Sequence, residues 1–214
     1  FGPLGSERYM DYMKDIHNSG KHLLELINDI LDLSKIEAGK FELQEDRVEL
    51  QAVVNTALRF MHERAETKHI KLESRVEDDL EIWGDKRALT QVLLNMIGNA
   101  IKFTEAKGSV IIESRMDKSG DLILTITDTG IGIAPEDMDV VMQPFGQARK
   151  SSSIANAEPG TGLGLPLSRS FIEKHGGSFD ITSEPGIGTR ITITLPASRV
   201  MQDETVEKRI SAGE

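Results

Sequence analysis

The sequence of 214 residues lacks cysteine, and it lacks any apolar run as long as the roughly 18 residues that a membrane-spanning helix needs. The absence of cysteine excludes disulfides, thiolate metal sites and thiol nucleophiles, and it fits a reducing compartment. No basic segment followed by an apolar core indicates a secretory signal. The sequence therefore predicts a cytoplasmic chain with no membrane contact of its own, and it leaves open a membrane anchor in a longer parent protein.

The chain is also short of basic residues, because 25 Lys and Arg stand against 35 Asp and Glu, for a formal net charge of −10. Nucleic-acid-binding domains usually carry a basic face that meets the phosphate backbone. We therefore expect no nucleic-acid partner. An acidic protein still binds a nucleotide when a metal ion and a few local donors neutralise the phosphates.

Residues 7–38 carry a helical pattern, after a turn-rich entry at residues 1–6. Their apolar positions recur at alternating spacings of three and four residues, which is typical of a helical hairpin or bundle. One helix cannot bury such a face alone, so the pattern predicts a partner helix from a missing segment or from a second copy of the chain. Gly39 supplies a helix stop. The apolar stripe consists of Ile16, Gly20, Leu23, Ile27 and Ile30, widened by Leu24, Leu26 and Leu31.

The rest of the chain mixes strand and helix patterns without the βαβ alternation of a parallel sheet. It predicts an α+β fold, a two-layer α/β sandwich in which a mixed sheet is covered on one face by about three helices. The predicted domains are a helical segment (1–40), the sandwich (41–197) and a polar tail (198–214). Helices are predicted at residues 52–68, 86–103 and 165–175, and strands at 70–76, 80–83, 109–115, 122–127, 179–183 and 190–195.

The predicted helix that ends near residue 103 carries the first candidate site. Asn95 and Asn99 are four residues apart and Lys102 follows three residues later, so all three lie on one helix face. An amide oxygen is a hard, neutral ligand for Mg²⁺, and a lysine suits a polyphosphate. Taken alone, such asparagines more often cap a loop or bond to neighbouring backbone.

The second candidate, Asp128-Thr129-Gly130-Ile131-Gly132-Ile133, follows an apolar strand. An ionised Asp accepts hydrogen bonds, for example from the exocyclic amine of adenine. The two glycines remove side chains where backbone must approach a ligand or adopt positive φ. An ordinary strand-to-turn corner explains the same residues equally well.

The third candidate, Gly160-Thr161-Gly162-Leu163-Gly164-Leu165, opens a predicted helix. Glycines there leave N–H groups and the positive end of the helix dipole facing a phosphate. Their spacing differs from both the dinucleotide-binding fingerprint and the P-loop, and a flexible hinge is the alternative. A fourth element, Gly186-Ile187-Gly188-Thr189, is on its own a hairpin turn.

The order and spacing of these motifs, with Phe145 between the second and third, resemble the N, G1, F, G2 and G3 boxes of the histidine kinase catalytic domain. That domain has the Bergerat fold, in the superfamily shared with Hsp90, DNA gyrase B and MutL. The resemblance covers residues 41–196. Residues 29–39 are similar to the end of the second helix of the dimerisation and phosphotransfer domain, and the whole chain resembles kinases of the PleC, DivJ, DivL and PdhS kind.

The resemblance implies a site for ATP with Mg²⁺. Asn99, with Asn95 beside it, would ligate the metal, Lys102 would contact phosphate and Asp128 would read adenine. The further nucleotide contacts that the resemblance implies are Phe103, Gly130, Gly132, Ile133, Phe145, Gly162, Leu163, Gly164 and Thr189.

The resemblance also implies a lid over ATP, formed by residues 143–161. Phe145 would anchor the near end of this lid in the core. Arg149 or Lys150 would reach the γ-phosphate, although a lid cation that is simply solvated is the alternative.

One position separates two enzyme classes of the superfamily. The Hsp90, gyrase and MutL branch carries a glutamate one turn before the Mg²⁺ asparagine, where it serves as general base for water. Here that position is Asn95. A neutral amide cannot take a proton from water at pH 7, so hydrolysis is disfavoured. Phosphoryl transfer needs mainly positioning and charge neutralisation, which the motifs supply.

The chain departs from the family at its start, because no His-Glu box with a nearby proline is present. His17 and His22 lie on what resembles the second helix, so the acceptor histidine is expected outside this chain. The resemblance implies a homodimer in the parent and a response-regulator partner, which would dock near Tyr12, Met13 and Ile16. The alternative is a pseudokinase-like regulatory module that binds nucleotide and docks another kinase or a response regulator without phosphotransfer.

Overall fold

A computed structural model describes residues 7–148 and 160–201. The chain separates into two compact units, Phe1–Phe41 and Glu42–Glu214, which are treated individually below. Within the described residues, no helix is both long enough and apolar enough to cross a membrane.

The first unit is a single long helix, α1 (Glu7–Glu37). Gly39 ends it as predicted. Its φ of +67° lies in the left-handed region, and the N–H groups of Gly39 and Lys40 donate to the carbonyls of Ile36 and Lys35 at 3.0 and 2.8 Å. Within this unit the predicted apolar stripe is exposed, with Ile16 at 67% and Leu24 at 59%. A stripe of this size needs a covering partner.

The second unit contains two sheets in its described part. The larger is mixed, with strand order β2-β4-β5-β7-β6, in which β2 and β4 are parallel and the other neighbours are antiparallel. The smaller is antiparallel, with order β1-β3-β8. The strands are β1 (Asp46–Glu49), β2 (Lys71–Arg75), β3 (Glu81–Gly84), β4 (Ser109–Met116), β5 (Leu122–Asp128), β6 (Ser178–Glu184), β7 (Gly188–Leu195) and β8 (Val200–Met201).

Three helices cover one face of the larger sheet: α2 (Leu50–Thr67), α3 (Lys86–Phe103) and α5 (Gly164–Lys174). The helices cover this face because it is apolar. In β5, for example, the Leu-Ile-Leu-Thr-Ile-Thr sequence buries every second side chain. Each helix presents an apolar stripe to that side of the sheet. The predicted α+β sandwich is therefore confirmed. The core includes Val53, Leu93, Met96, Ile97, Val110, Ile112, Leu122, Ile126, Leu167, Phe171 and Ile193.

The structure differs from the sequence prediction at several element ends. The tail was predicted to begin at residue 198, but a 3-10 turn (Ala197–Arg199) and β8 continue the fold to Met201. These residues are ordered by backbone pairing with β3. The sequence did not predict the strand, because two residues are too few to show a periodic pattern. A 3-10 turn (Pro135–Asp137) and a short helix α4 (Met138–Val141) were also not predicted.

Candidate functional site

The helix α3 is fixed at its N-terminus by Asp85. The Asp85 carboxylate accepts hydrogen bonds from the N–H groups of Arg87 and Ala88, which are otherwise unpaired at a helix start. The same carboxylate accepts the N–H of Gln44 at 3.0 Å, and the Asp85 N–H donates to Nε2 of buried His175 at 3.0 Å. The direction of α3 is therefore set by two distant parts of the chain.

The Asn95 side chain turns towards the start of α5. Its Nδ2 lies 3.4 Å from the carbonyl oxygen of Gly164 and 3.3 Å from Oγ of buried Ser168. Asn99 is half-buried one helical turn further along α3, on the same face. The structure thus gives Asn95 a link to α5, whereas its predicted role as a metal ligand stays a prediction.

The C-terminal turn of α3 brings Lys102 and Phe103 beside two glycine-rich segments. The Lys102 Nζ lies 5.1 Å from the centre of the Phe103 ring. It is also so close to Gly160 that a Cβ there would stand 3.0 Å from it. The Phe103 carbonyl accepts the N–H of Ile131 at 3.2 Å. This face of α3 therefore runs from the start of α5 to the glycines that follow β5.

Asp128, at the end of β5, forms the other side of this corner. Its Oδ1 accepts the N–H groups of Gly130 at 2.8 Å and Thr189 at 3.2 Å. Burial raises the pKa of the Asp128 carboxyl above its ordinary value, and these two hydrogen bonds lower that pKa in part. With Oδ1 taken by two donors, Oδ2 is the oxygen that suits an external donor such as an amine.

The glycines around Asp128 allow close backbone approach. A Cβ on Gly130 would stand 2.6 Å from the Phe103 carbonyl oxygen, and one on Gly188 would overlap the Asp128 carbonyl. Gly132 adopts a φ of +70° and faces the Glu184 carbonyl, where a Cβ would also overlap. These contacts hold the loop after β5 against the hairpin between β6 and β7, so both carry the site together.

The Ser183 hydroxyl also links the loop after β5 to the hairpin between β6 and β7. Ser183 Oγ accepts the N–H of Ile133 at 2.8 Å, donates to the Gly188 carbonyl at 2.9 Å and lies 2.9 Å from Oγ1 of Thr189. The predicted contacts Ile133 and Thr189 are therefore tied to one serine that the sequence motifs did not indicate. A Ser on an edge strand, fifty residues from Ile133, gives no local signal.

The third motif forms the start of α5 as predicted. Leu163 is fully buried beneath the helix start, and its N–H donates to Oγ1 of Thr161 at 3.1 Å. Gly164 begins the helix and packs on Asn95, where a Cβ would stand 3.5 Å from the Asn95 amide carbon. In the first turn of this eleven-residue helix, the N–H groups of Gly164 and Leu165 are those that lack a partner within the helix, so they suit a phosphate.

The predicted anchoring of Phe145 in the core is wrong. Its side chain is 61% exposed, and its backbone has a φ of +63°. What holds this segment is backbone pairing, because the Phe145 N–H donates to the Gly162 carbonyl at 3.0 Å. Gly162, at φ +71°, would bring a Cβ within 2.6 Å of the Phe145 carbonyl carbon. Close backbone contact at glycine therefore replaces the predicted apolar anchor.

The two ends of the predicted lid meet at this point. Gln147 Nε2 donates to the Gly160 carbonyl at 2.7 Å, next to the pair formed by Phe145 and Gly162. Arg149 and Lys150, predicted to reach the γ-phosphate, lie outside the described residues, as does most of the lid.

The donors at this site fit a magnesium ion that a polyphosphate shares. Among residues 7–148 and 160–201, no three His, Asp or Glu side chains converge as a metal cluster. Mg²⁺ typically keeps water and substrate phosphate as ligands and takes only one or two protein oxygens. The amide oxygen of Asn99, between the glycine-rich helix start and Lys102, matches that requirement.

Comparison with known proteins shows which family this chain resembles in sequence. The family described as histidine kinase-, DNA gyrase B- and HSP90-like ATPase matches residues 84–199. The non-motile and phage-resistance protein of Caulobacter vibrioides is 50% identical over 199 residues, which are 92% of this chain and 23% of that protein. The cell-division control histidine kinase PdhS of Brucella suis is 39% identical over 210 residues, which are 95% of this chain and 20% of that one. The chain thus spans about a fifth of the length of these relatives.

Solved structures agree with this family. Full-length ShkA in complex with AMPPNP has a TM-score of 0.77 at 28% identity, covering 92% of this chain and 40% of that one. The Acinetobacter baumannii histidine kinase AdeS has a TM-score of 0.74 at 26% identity, covering 93% of this chain and 88% of that one. With the family match and the PdhS-type relatives, they show that this chain belongs to the histidine kinase-, DNA gyrase B- and HSP90-like ATPase family, as a catalytic region of the histidine kinase type.

Proposed function

We propose that this chain binds ATP with Mg²⁺ and transfers the γ-phosphoryl group to a histidine outside these residues, for relay to a response-regulator aspartate. The observation that carries the proposal is the position of one face of α3. Its Asn95 end meets the start of α5, and its Phe103 end meets the Asp128 corner. A phosphate cradle and a carboxylate acceptor therefore flank Asn99 and Lys102. The AMPPNP complex of full-length ShkA supports nucleotide binding by a chain of this fold.

Each end of this face suits one part of ATP. At the Asp128 end, Oδ2 accepts from the adenine amine, while Oδ1 stays bonded to Gly130 and Thr189. At the α5 end, the N–H groups of Gly164 and Leu165 face phosphate oxygens. Between them, the Asn99 amide oxygen ligates Mg²⁺, which neutralises phosphate charge when bound, and Lys102 adds a cation.

Transfer rather than hydrolysis follows from the amide at position 95. In the transfer, the bond from the γ-phosphorus to the bridging oxygen of ADP breaks, and a bond to an imidazole nitrogen forms. A water nucleophile needs a base one turn before Asn99, but Asn95 has no basic lone pair and its Nδ2 is directed to Gly164 and Ser168. Asn95 therefore acts as a positioning residue that links α3 to the phosphate cradle.

The wider setting of the chain is part of the same proposal. We infer a homodimer through α1 in the parent protein, a response-regulator receiver domain as partner, and a cytoplasmic location. The exposed stripe of α1 supports the first of these, since Ile16, Leu23 and Ile27 belong to a larger exposed apolar surface. We propose from the sequence alone that Arg149 contacts the γ-phosphate.

The first experiment tests the site by calorimetry with Mg·ATP. We expect Asn99→Ala to remove magnesium-dependent binding, weakening the affinity at least about a hundredfold, because a metal ligand is lost. The matched control is Asn55→Ala, which changes an exposed asparagine on α2 and should bind as the unmodified chain does. Equal affinities for both variants would refute the site.

The second experiment tests the reaction with γ-labelled ATP and an added helical hairpin that carries a His-Glu box. Acid-labile label on the hairpin supports transfer. Nucleotide binding without label supports the regulatory module instead. Steady release of inorganic phosphate without hairpin labelling would point to hydrolysis.

A further inference from the structure

Lys68 caps the C-terminus of α3, although it belongs to a different part of the chain. It follows the last residue of α2, where the backbone turns through His69 at a φ of +56°. Its Nζ donates to the carbonyls of Ile101 at 2.9 Å, Lys102 at 2.7 Å and Thr104 at 3.2 Å. An ammonium group has three donors, so all of them are used on one helix end.

The position of this cap suits a cation. The last carbonyls of a helix have no partner within the helix, and they form the negative end of its dipole. Burial lowers the pKa of Lys68 from its ordinary value, and the nearby Arg64 lowers it further. Three hydrogen bonds from one ammonium group tie these three carbonyls to one another, which restrains the last turn of α3.

The turn that Lys68 caps is the last turn of α3, which contains Lys102 and Phe103 of the proposed site. Lys102 projects from it towards Gly160, and the Phe103 carbonyl accepts the N–H of Ile131 in the loop after Asp128. The two carbonyls that flank Phe103 in the sequence, those of Lys102 and Thr104, are both bound by Lys68. The carbonyl that holds the loop therefore lies between two that Lys68 holds.

We propose that Lys68 is a positioning residue for the nucleotide site, which fixes the last turn of α3 so that Lys102 faces phosphate and the Asp128 loop faces adenine. The inference rests on the proposed ATP site. It differs from general stabilisation in one respect: both the phosphate end and the adenine end of the site depend on the same capped turn.

The test compares Lys68→Met, Lys68→Arg and Lys102→Met in the 214-residue chain, with Mg·ATP and AMP as calorimetric probes. Loss of the Lys68 ammonium removes three hydrogen bonds from the last turn of α3, so we expect Lys68→Met to weaken both probes by about tenfold. Lys68→Arg keeps the charge and several donors, and should stay within about threefold for both probes. Lys102→Met, which removes the cation beside Gly160, should weaken Mg·ATP more than AMP, because AMP carries a single phosphate.

The control is Lys71→Met, which removes the same charge three residues away, where the side chain is exposed and pairs with Glu73. All variants are measured well below their unfolding midpoints. Unchanged affinity of folded Lys68→Met for both probes overturns the positioning role, even if its unfolding temperature falls. If Lys68→Met does not fold, Lys68→Gln replaces it under the same criterion, and failure of both to fold also overturns the proposal. If the unmodified chain does not bind Mg·ATP, that result refutes the proposed function rather than the role of Lys68.

Discussion

At the scale of single residues, Asp128 is held in an environment that opposes its charge. Burial raises the pKa of its carboxyl, and two backbone N–H groups only partly offset that effect. A group whose pKa is raised on folding binds more protons in the native state, so its contribution to stability is present at low pH and is lost as the pH rises through the raised value. Ionisation of Asp128 in the folded chain therefore lowers stability.

Asp128→Asn separates binding from stability. The Asn oxygen still accepts from Gly130 and Thr189, so the free energy of unfolding at pH 7 should stay within about 1 kcal/mol of the unmodified value. The amide Nδ2 is a donor where the carboxylate accepted, so the preference for ATP over ITP or GTP should fall at least about tenfold. Competition binding and urea denaturation measure the two effects.

The pH dependence checks the same assignment. Relative to Asp128→Asn, the unmodified chain should lose stability as the pH rises through the raised pKa of Asp128. Parallel stability curves for the two proteins over that range would mean that the carboxyl is not desolvated.

Sequence reasoning at this scale found the residues that local motifs mark. The spacing of polar residues marks Asn99, Lys102 and Asp128 as candidates, and the clustering of residues without side chains marks the glycines. Ser183 and Lys68 were missed, since Ser183 contacts Ile133 from fifty positions away and Lys68 binds carbonyls more than thirty positions away. Such partners follow from tertiary packing, which one sequence read locally does not encode.

At the scale of elements, α3 is the helix on which the site is built. Asp85 fixes its first turn and Lys68 its last, so both ends are held by side chains rather than by solvent. The Asp85 carboxylate also accepts the N–H of Gln44, which lies before β1. The segment that follows α1 in sequence is thereby bonded to the start of the helix that carries Asn99.

Asp85→Ala should lower the free energy of unfolding by about 1–3 kcal/mol, because two helix N–H groups and the Gln44 N–H lose their acceptor. Urea denaturation followed by circular dichroism measures the change. Asp78→Ala, in an exposed turn, is the matched control and should change stability by less than about 0.5 kcal/mol. Equal effects of the two substitutions would show that the cap does not hold α3.

The elements themselves were largely predicted. Strong periodicity located α1, α3 and the strands β4, β5 and β7 to within one or two residues. The misplaced features are short or irregular: α4, β8, and the segment at Phe145, whose anchor is backbone contact with Gly162 rather than an apolar side chain. A positive φ at a phenylalanine is not foreseeable from composition.

At the scale of the whole molecule, the chain combines a folded sandwich with a helix whose apolar stripe is exposed within its own unit. Stripes of this kind are covered by other helices in bundles. The proposed dimer therefore depends on α1, whereas the nucleotide site is built entirely from residues of the second unit.

Leu24→Asp together with Leu31→Asp should weaken self-association at least about tenfold in sedimentation experiments, because two exposed leucines of the stripe become charged. Affinity for Mg·ATP should not change. Lys14→Asp adds the same charge on the polar side of α1 and serves as the control. Should the control disrupt association equally, charge rather than the apolar stripe would be responsible.

The hydrogen bonds from Phe145 to Gly162 and from Gln147 to Gly160 join the two ends of the predicted lid beside the proposed nucleotide site. Once the two ends of a loop are clasped, the contour length between them hardly affects the free energy, since doubling it costs only about 0.6 kcal/mol. Insertions between residues 148 and 159 should therefore leave the site's architecture unchanged.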